Sequence, residues 1–144
     1  MDEQQEQSLD DFFPIQETFS DFAGRQRQFR IELGAHPTGC FLRATEIRAP
    51  GSSGGYSFAA YSPNDPFFAL GQLRDKIRRG LSTRYLSAEN EGHSLSHDRL
   101  KGHIGYEGVV VDGEFLSFAE FCALLGAYEG FQFALTITDP FEDF

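Results

Sequence analysis

Polar and apolar residues alternate along Gln28-Phe29-Arg30-Ile31-Glu32-Leu33, a pattern that predicts a half-buried strand. Gly34 to Thr38, with Pro37, reads as a turn. Cys40 to Ile47 and Tyr56 to Tyr61 read as two more strands, joined by the loop Ala49-Pro50-Gly51-Ser52-Ser53-Gly54-Gly55. Together the three predict an antiparallel meander. The period then changes. Asp65-Pro66 is a helix start, because Asp can cap and Pro at the first helical position gives up no needed donor. Phe67, Leu70, Leu73, Ile77 and Leu81 follow at spacings of three and four, which places them on one helical face. Gly80 offers one end for this helix, and Tyr85 a later one.

Residues 87–101 are polar and read as a loop. Gly102 to Tyr106 and Val109 to Val111 read as strands, and Asp112-Gly113 predicts a tight hairpin back into Glu114-Phe115-Leu116. Ser117-Phe118-Ala119-Glu120 is a capping box, opening a helix with Phe118, Phe121, Cys122, Leu125 and Tyr128 on its apolar side. Phe131, Phe133, Leu135 and Ile137 then alternate with Gln132, Ala134, Thr136 and Thr138, which predicts a last strand. The expected order is β-β-β-α-β-β-β-α-β. The expected class is α+β, with two helices packed on one face of a mainly antiparallel sheet.

Charge divides the chain differently. Residues 1–24 carry seven acidic residues and no Lys or Arg, and residues 139–144 carry three acidic residues. Between them, twelve basic residues balance twelve acidic ones, so the net charge of −10 belongs to the ends. The expected organisation is an acidic flexible arm over 1–24, a single domain over 25–138, and an acidic Phe-terminated tail over 139–144. A balanced body argues against a DNA mimic, whose acid should lie on rigid elements. A chain of 144 residues with 40% apolar residues can bury a core without disulfide or metal. No apolar run nears the roughly 20 residues that span a bilayer, and Met1 to Gln7 lacks the basic start and apolar stretch of a secretory leader. Cys40 and Cys122 sit in apolar contexts and read as buried thiols. A cytoplasmic, reducing location is expected.

Candidate chemistry is sparse. His93, His97 and His103 lie close together, with Asp98 beside them, but no helix is predicted to carry the pair four apart and no Cys lies near, so they read as weak metal candidates. Ser52-Ser53 lies in a glycine-rich connector between two strands, with no adjacent His and no strand-to-helix elbow to make either a nucleophile, and no Gly-Lys-Ser/Thr phosphate loop follows. No catalytic residue, cofactor or firm metal site is assigned, which points away from an enzyme. Arg74, Arg78, Arg79 and Arg84 lie on or just after the first helix. They offer a surface for an anion, for nucleic acid, or for an acidic tail folding back. The end Asp139-Pro140-Phe141-Glu142-Asp143-Phe144 resembles the acidic, Phe-terminated tip of bacterial single-stranded DNA-binding proteins. Phe141 and Phe144 are therefore candidate anchors in a partner's pocket.

Two stretches carry a wider resemblance. They are Asp65-Pro66-Phe67 through Arg78-Arg79-Gly80 to Leu86, and Val111-Asp112-Gly113 through Phe121 to Tyr128-Glu129-Gly130-Phe131-Gln132-Phe133. Over roughly residues 56–138 they resemble a family of uncharacterised bacterial domains of unknown function, a resemblance that implies no activity. The leading expectation is a non-enzymatic protein-interaction module of inhibitor, immunity or adaptor type, binding another protein through its tails or the adjacent face. The alternatives are a nucleic-acid- or nucleotide-associated protein using the arginines, and a small metal-dependent enzyme at the histidines. No membrane role is expected.

Overall fold

The computed structural model describes residues 11–89, 92–95 and 99–142. Strands β1 (Ile15–Ser20), β2 (Gln26–His36), β3 (Gly39–Glu46) and β4 (Ser57–Ser62) form an antiparallel sheet in that order. Helix α1 (Pro66–Ser82) follows, then β5 (Leu86–Glu89) paired with β6 (Gly92–Leu95). Strands β7 (His103–Gly105), β8 (Gly108–Val111) and β9 (Glu114–Ser117) make a second antiparallel sheet, and α2 (Phe118–Gly126) follows it. The protein is α+β, with helices α1 and α2 and antiparallel sheets among the described residues.

The first core forms between α1 and one face of the four-stranded sheet. Phe29, Ile31, Leu42, Ala44 and Ala60 point inward from the strands and meet Ala69, Leu70, Leu73, Ile77 and Leu81 of the helix. The register Ile31↔Ala44 and Leu33↔Leu42 keeps these residues on one face. Asp65 caps α1 by accepting from the Phe67 amide at 2.9 Å. The helix runs past Gly80, which has a packing role there. A Cβ at that position would stand 2.5 Å from the Phe58 ring, so only glycine lets β4 approach the helix so closely.

Residues 1–24, expected as a flexible arm, supply a full edge strand. Its inward positions are Ile15, Glu17 and Phe19, opposite Ile31, Phe29 and Arg27. Phe13 and Phe19 are buried in the first core. Glu17 also faces inward and is met by Arg74 of α1, through Nε to Oε1 at 2.9 Å and a second contact from Nη2 to Oε2. Residues 1–10 lie outside the described residues.

At the end of β1, Asp21 is buried and fully engaged. It accepts from the amides of Ala23 at 2.8 Å and Arg25 at 2.9 Å, and from Arg27 Nε at 3.0 Å. Burial pushes its pKa up, but these donors outweigh it and hold the carboxyl below its ordinary value of 3.8. The folded pKa therefore lies below the unfolded one. The stability this provides is present above about pH 4 and is lost as the pH falls through the folded value. The urea midpoint of the protein is expected to drop on acidification below about pH 4, and more shallowly in Asp21→Asn. An identical acid limb in that variant would show that another group carries the linkage.

The second core is smaller. Leu86, Val111, Leu116 and Leu124 are its buried members. The polar stretch expected as a loop contains the β5–β6 pair, whose short run of Ser, Ala, Glu and Gly carries no alternation to announce a strand. The capping box at the start of α2 is present in full, with Glu120 N donating to Ser117 Oγ at 3.1 Å and Ser117 N donating to Glu120 Oε1 at 3.2 Å. The face of α2 differs from expectation. Leu124 is buried, whereas Phe118, Cys122 and Leu125 are exposed. Cys122 is thus not a core thiol. Cys40 is half-buried, and its Sγ lies 3.5 Å from the Ser62 carbonyl oxygen. No helix among the described residues is long and apolar enough to cross a membrane.

The two cores are joined at the Asp112-Gly113 turn, whose positive φ angles of 54° and 76° are those of the predicted hairpin. The Asp112 carboxylate accepts from Tyr85 N at 2.9 Å and from Leu86 N at 2.8 Å. Gly113 O accepts from Gly55 N at 2.6 Å and from Arg48 Nη1 at 2.9 Å. One turn of the second sheet thereby holds both the chain leaving α1 and the loop before β4.

Candidate functional site

After α2 the chain leaves the second core as an extended arm. Tyr128 N donates to Leu125 O and Phe131 N to Tyr128 O, which closes the turn at the near end. Gly130, at φ 88°, swings the backbone outward. At the far end Asp139 accepts the Phe141 amide at 2.8 Å, and the Phe141 ring lies against Phe41 at 5.4 Å and His36 at 5.8 Å. The seat for that ring is built by Gly34. An added Cβ there would stand 2.3 Å from Phe41, so its absence lets Phe41 lie flat on the sheet. Lys76 of α1 completes the anchor, donating from Nζ to the carbonyls of Phe141 at 2.9 Å, Glu142 at 3.1 Å and Ala59 at 2.8 Å.

Between these anchors the side chains stand in solvent. Phe131 is 73% exposed, Phe133 90%, Leu135 74% and Ile137 70%. Residues 132–138 make no backbone hydrogen bond among the described residues. The alternation that predicts a strand is real, and residues 131–139 run without turn or bend, but no strand among the described residues pairs with them. Phe118 and Leu125 of α2, with Ile104 and Tyr106 at the β7 end, are also exposed in the same half of the molecule.

The sequence candidates fall into different places. Arg74 is spent on Glu17. Arg78 lies 3.5 Å from Asp75 and over the Phe19 ring at 5.7 Å. Arg84 donates to Leu86 O and stacks over Phe22 at 5.4 Å. Arg79 Nε is 3.4 Å from Asp75 O. Arg74, Arg78 and Arg84 do meet the acidic N-terminal segment, but as parts of the fold. The C-terminal segment is held by Lys76, which belongs to the same basic stretch of the helix and donates to carbonyl oxygens rather than to the acidic side chains. Phe141, expected as an anchor in a partner's pocket, packs here on Phe41 and His36 of its own chain. Phe144 lies outside the described residues. His103 is half-buried, and burial followed by nearby Arg43 pushes its pKa down. His93 falls in β6, and His97 lies outside the described residues. No metal-competent group of His, Cys, Asp or Glu occurs among the described residues.

Arg27 bridges Asp21 and Glu46, each at 3.0 Å, and lies over the Tyr56 ring at 5.5 Å. This network braces the junction of the two cores. Burial, then the nearby Asp112 carboxylate, pushes the Tyr56 phenol up, so it remains neutral there.

Nothing among curated proteins or solved structures matches the chain. Two family models do, each a domain of unknown function. Residues 85–142, which hold the second core and the arm, match Domain of unknown function (DUF7713). Residues 11–82 match Domain of unknown function (DUF7686). That second match begins just before β1, ends with α1 and spans half of the chain, and on it the chain belongs to the DUF7686 family.

Proposed function

We propose that this chain is a protein-interaction module that donates residues 131–138 as a strand to a partner. The observation that carries the reading is the arm itself, extended, apolar at alternate positions, exposed, and fastened at both ends. A strand presented this way offers main-chain hydrogen bonds for affinity and alternate side chains for pockets. The arginine cluster supports the nucleic-acid alternative poorly, because Arg74, Arg78 and Arg84 are engaged with acids, carbonyls and rings of the same chain. A reducing, cytoplasmic setting suits two cysteines that are both unpaired. A bacterial source belongs to the same reading, through the motif resemblance.

Photo-crosslinking residues placed singly at 132 to 137 test this in the producing cell. Crosslinks to one partner protein from 133, 135 and 137 are expected, at a yield at least about fivefold above 132, 134 and 136, because alternate side chains point to opposite faces. Equal yields at all six positions, or none, would refute strand donation.

A further inference from the structure

Resting on the strand-donation reading, we propose that the partner is a second copy of this chain, with residues 131–137 of the two copies paired antiparallel about Ala134. The arm has the symmetry such a contact demands. A two-fold interface must be self-complementary, residue i meeting j and j meeting i. Centred on Ala134, the pairing sets Phe131 opposite Ile137 and Phe133 opposite Leu135, so every large apolar residue meets another on one face. Gln132, Ala134 and Thr136 fill the other face, and the centre carries only two methyl groups. The limits of the arm fit the same centre. Gly130, with positive φ, ends it on one side, and the Asp139 turn ends it on the other.

Charge agrees. Residues 130–138 contain no charged residue, although the chain as a whole carries −10. Natural edge strands are usually guarded against self-pairing by Lys, Pro or inward charges. This segment has none of these between Gly130 and Asp139, so nothing in it guards against self-pairing. Eight large apolar side chains, four per copy, amount to on the order of 1,000 Å² once covered, the lower bound for a specific interface. A two-stranded ribbon also needs a cover for its apolar face. Exposed Phe118 and Leu125, on the helix that leads into the arm, supply apolar surface for it.

Sedimentation velocity on the full chain reads the outcome, across roughly 1–100 µM to bracket a µM dissociation constant. The expected species is twice the 16.1 kDa of one chain. The double variant Phe133→Asp/Leu135→Asp is expected to be monomeric with an unchanged circular dichroism spectrum, since both side chains lie outside the cores. Register is tested separately, in a Cys122→Ser background. Ala134→Cys brings two thiols directly opposite, at a Cα separation of about 4.5–5.5 Å that a disulfide spans. Thr136→Cys sets them about 13 Å apart, four residues along the strand. Mild oxidation should join the first at least about tenfold faster than the second. A dimer that survives the double variant, or equal oxidation at both positions, overturns the proposal. A monomeric wild type overturns it too. If odd-position photo-crosslinks then still capture a different protein, strand donation stands and only the second copy falls. If they capture nothing, both fall together.

Discussion

Replacing Phe29 by alanine is expected to destabilise the first core by about 4 kcal/mol, within the range for emptying a buried aromatic site. Phe29 is fully buried at the centre of the sheet. Its ring stands edge-on to Phe19 at 5.9 Å and tilted against Phe58 at 6.0 Å. It therefore joins β1, β2 and β4 through one side chain. The loss combines the transfer term, the cavity and two aromatic contacts. Small domains have only about 5–15 kcal/mol in total, so this single change removes a large share. Urea unfolding checks it, as a lower midpoint at nearly constant slope. A loss below about 1 kcal/mol would mean that α1 and the sheet close the cavity by themselves.

Asp112→Ala is expected to cost about 3 kcal/mol, and to cost it locally. The substitution leaves the amides of Tyr85 and Leu86 without their acceptor, and each unmet buried donor costs about 1–3 kcal/mol. It also places alanine at φ 54°, a region that Asp and Asn tolerate better. The damage falls on the second core, because Leu86 is one of its four buried members. Two unfolding transitions should replace one, with the second core melting first. Asp112→Asn keeps the turn and one acceptor oxygen, and should recover part of the loss. A single shared transition for Asp112→Ala would show that the cores are held together mainly by the Gly113 and Arg48 contacts.

Much of the fold is legible in the residues. Strands β2 to β4 follow from plain alternation, α1 from Asp65-Pro66 and its apolar stripe, and the β8–β9 hairpin from Asp112-Gly113. The first strand is hidden for a definite reason. Its inward row runs Phe13, Ile15, Glu17, Phe19, Asp21, and two acids interrupt the apolar pattern. Both acids are inward because arginines from elsewhere meet them, Arg74 from 57 residues away and Arg27 from the next strand. Alternation read one residue at a time cannot see a partner that arrives through tertiary structure. The α2 face is misread for the opposite reason. Phe118, Cys122 and Leu125 look like core, and their exposure becomes visible only once the second core is seen to close on Leu124. The site lies in between. The alternation of residues 131–137 is plain in the sequence, but the absence of a neighbouring strand among the described residues is not.

The double fastening of the arm bears on how quickly and how tightly it can pair. A free seven-residue tail would lose on the order of 1–2 kcal/mol of backbone entropy per residue on entering a sheet. Here Lys76 and Phe141 at one end, and the Tyr128–Phe131 turn at the other, hold the backbone extended before any partner arrives. Much of that ordering cost therefore belongs to folding rather than to association. A Lys76→Met chain would still carry every residue of the strand, yet it would bind like a loose peptide, more slowly and more weakly.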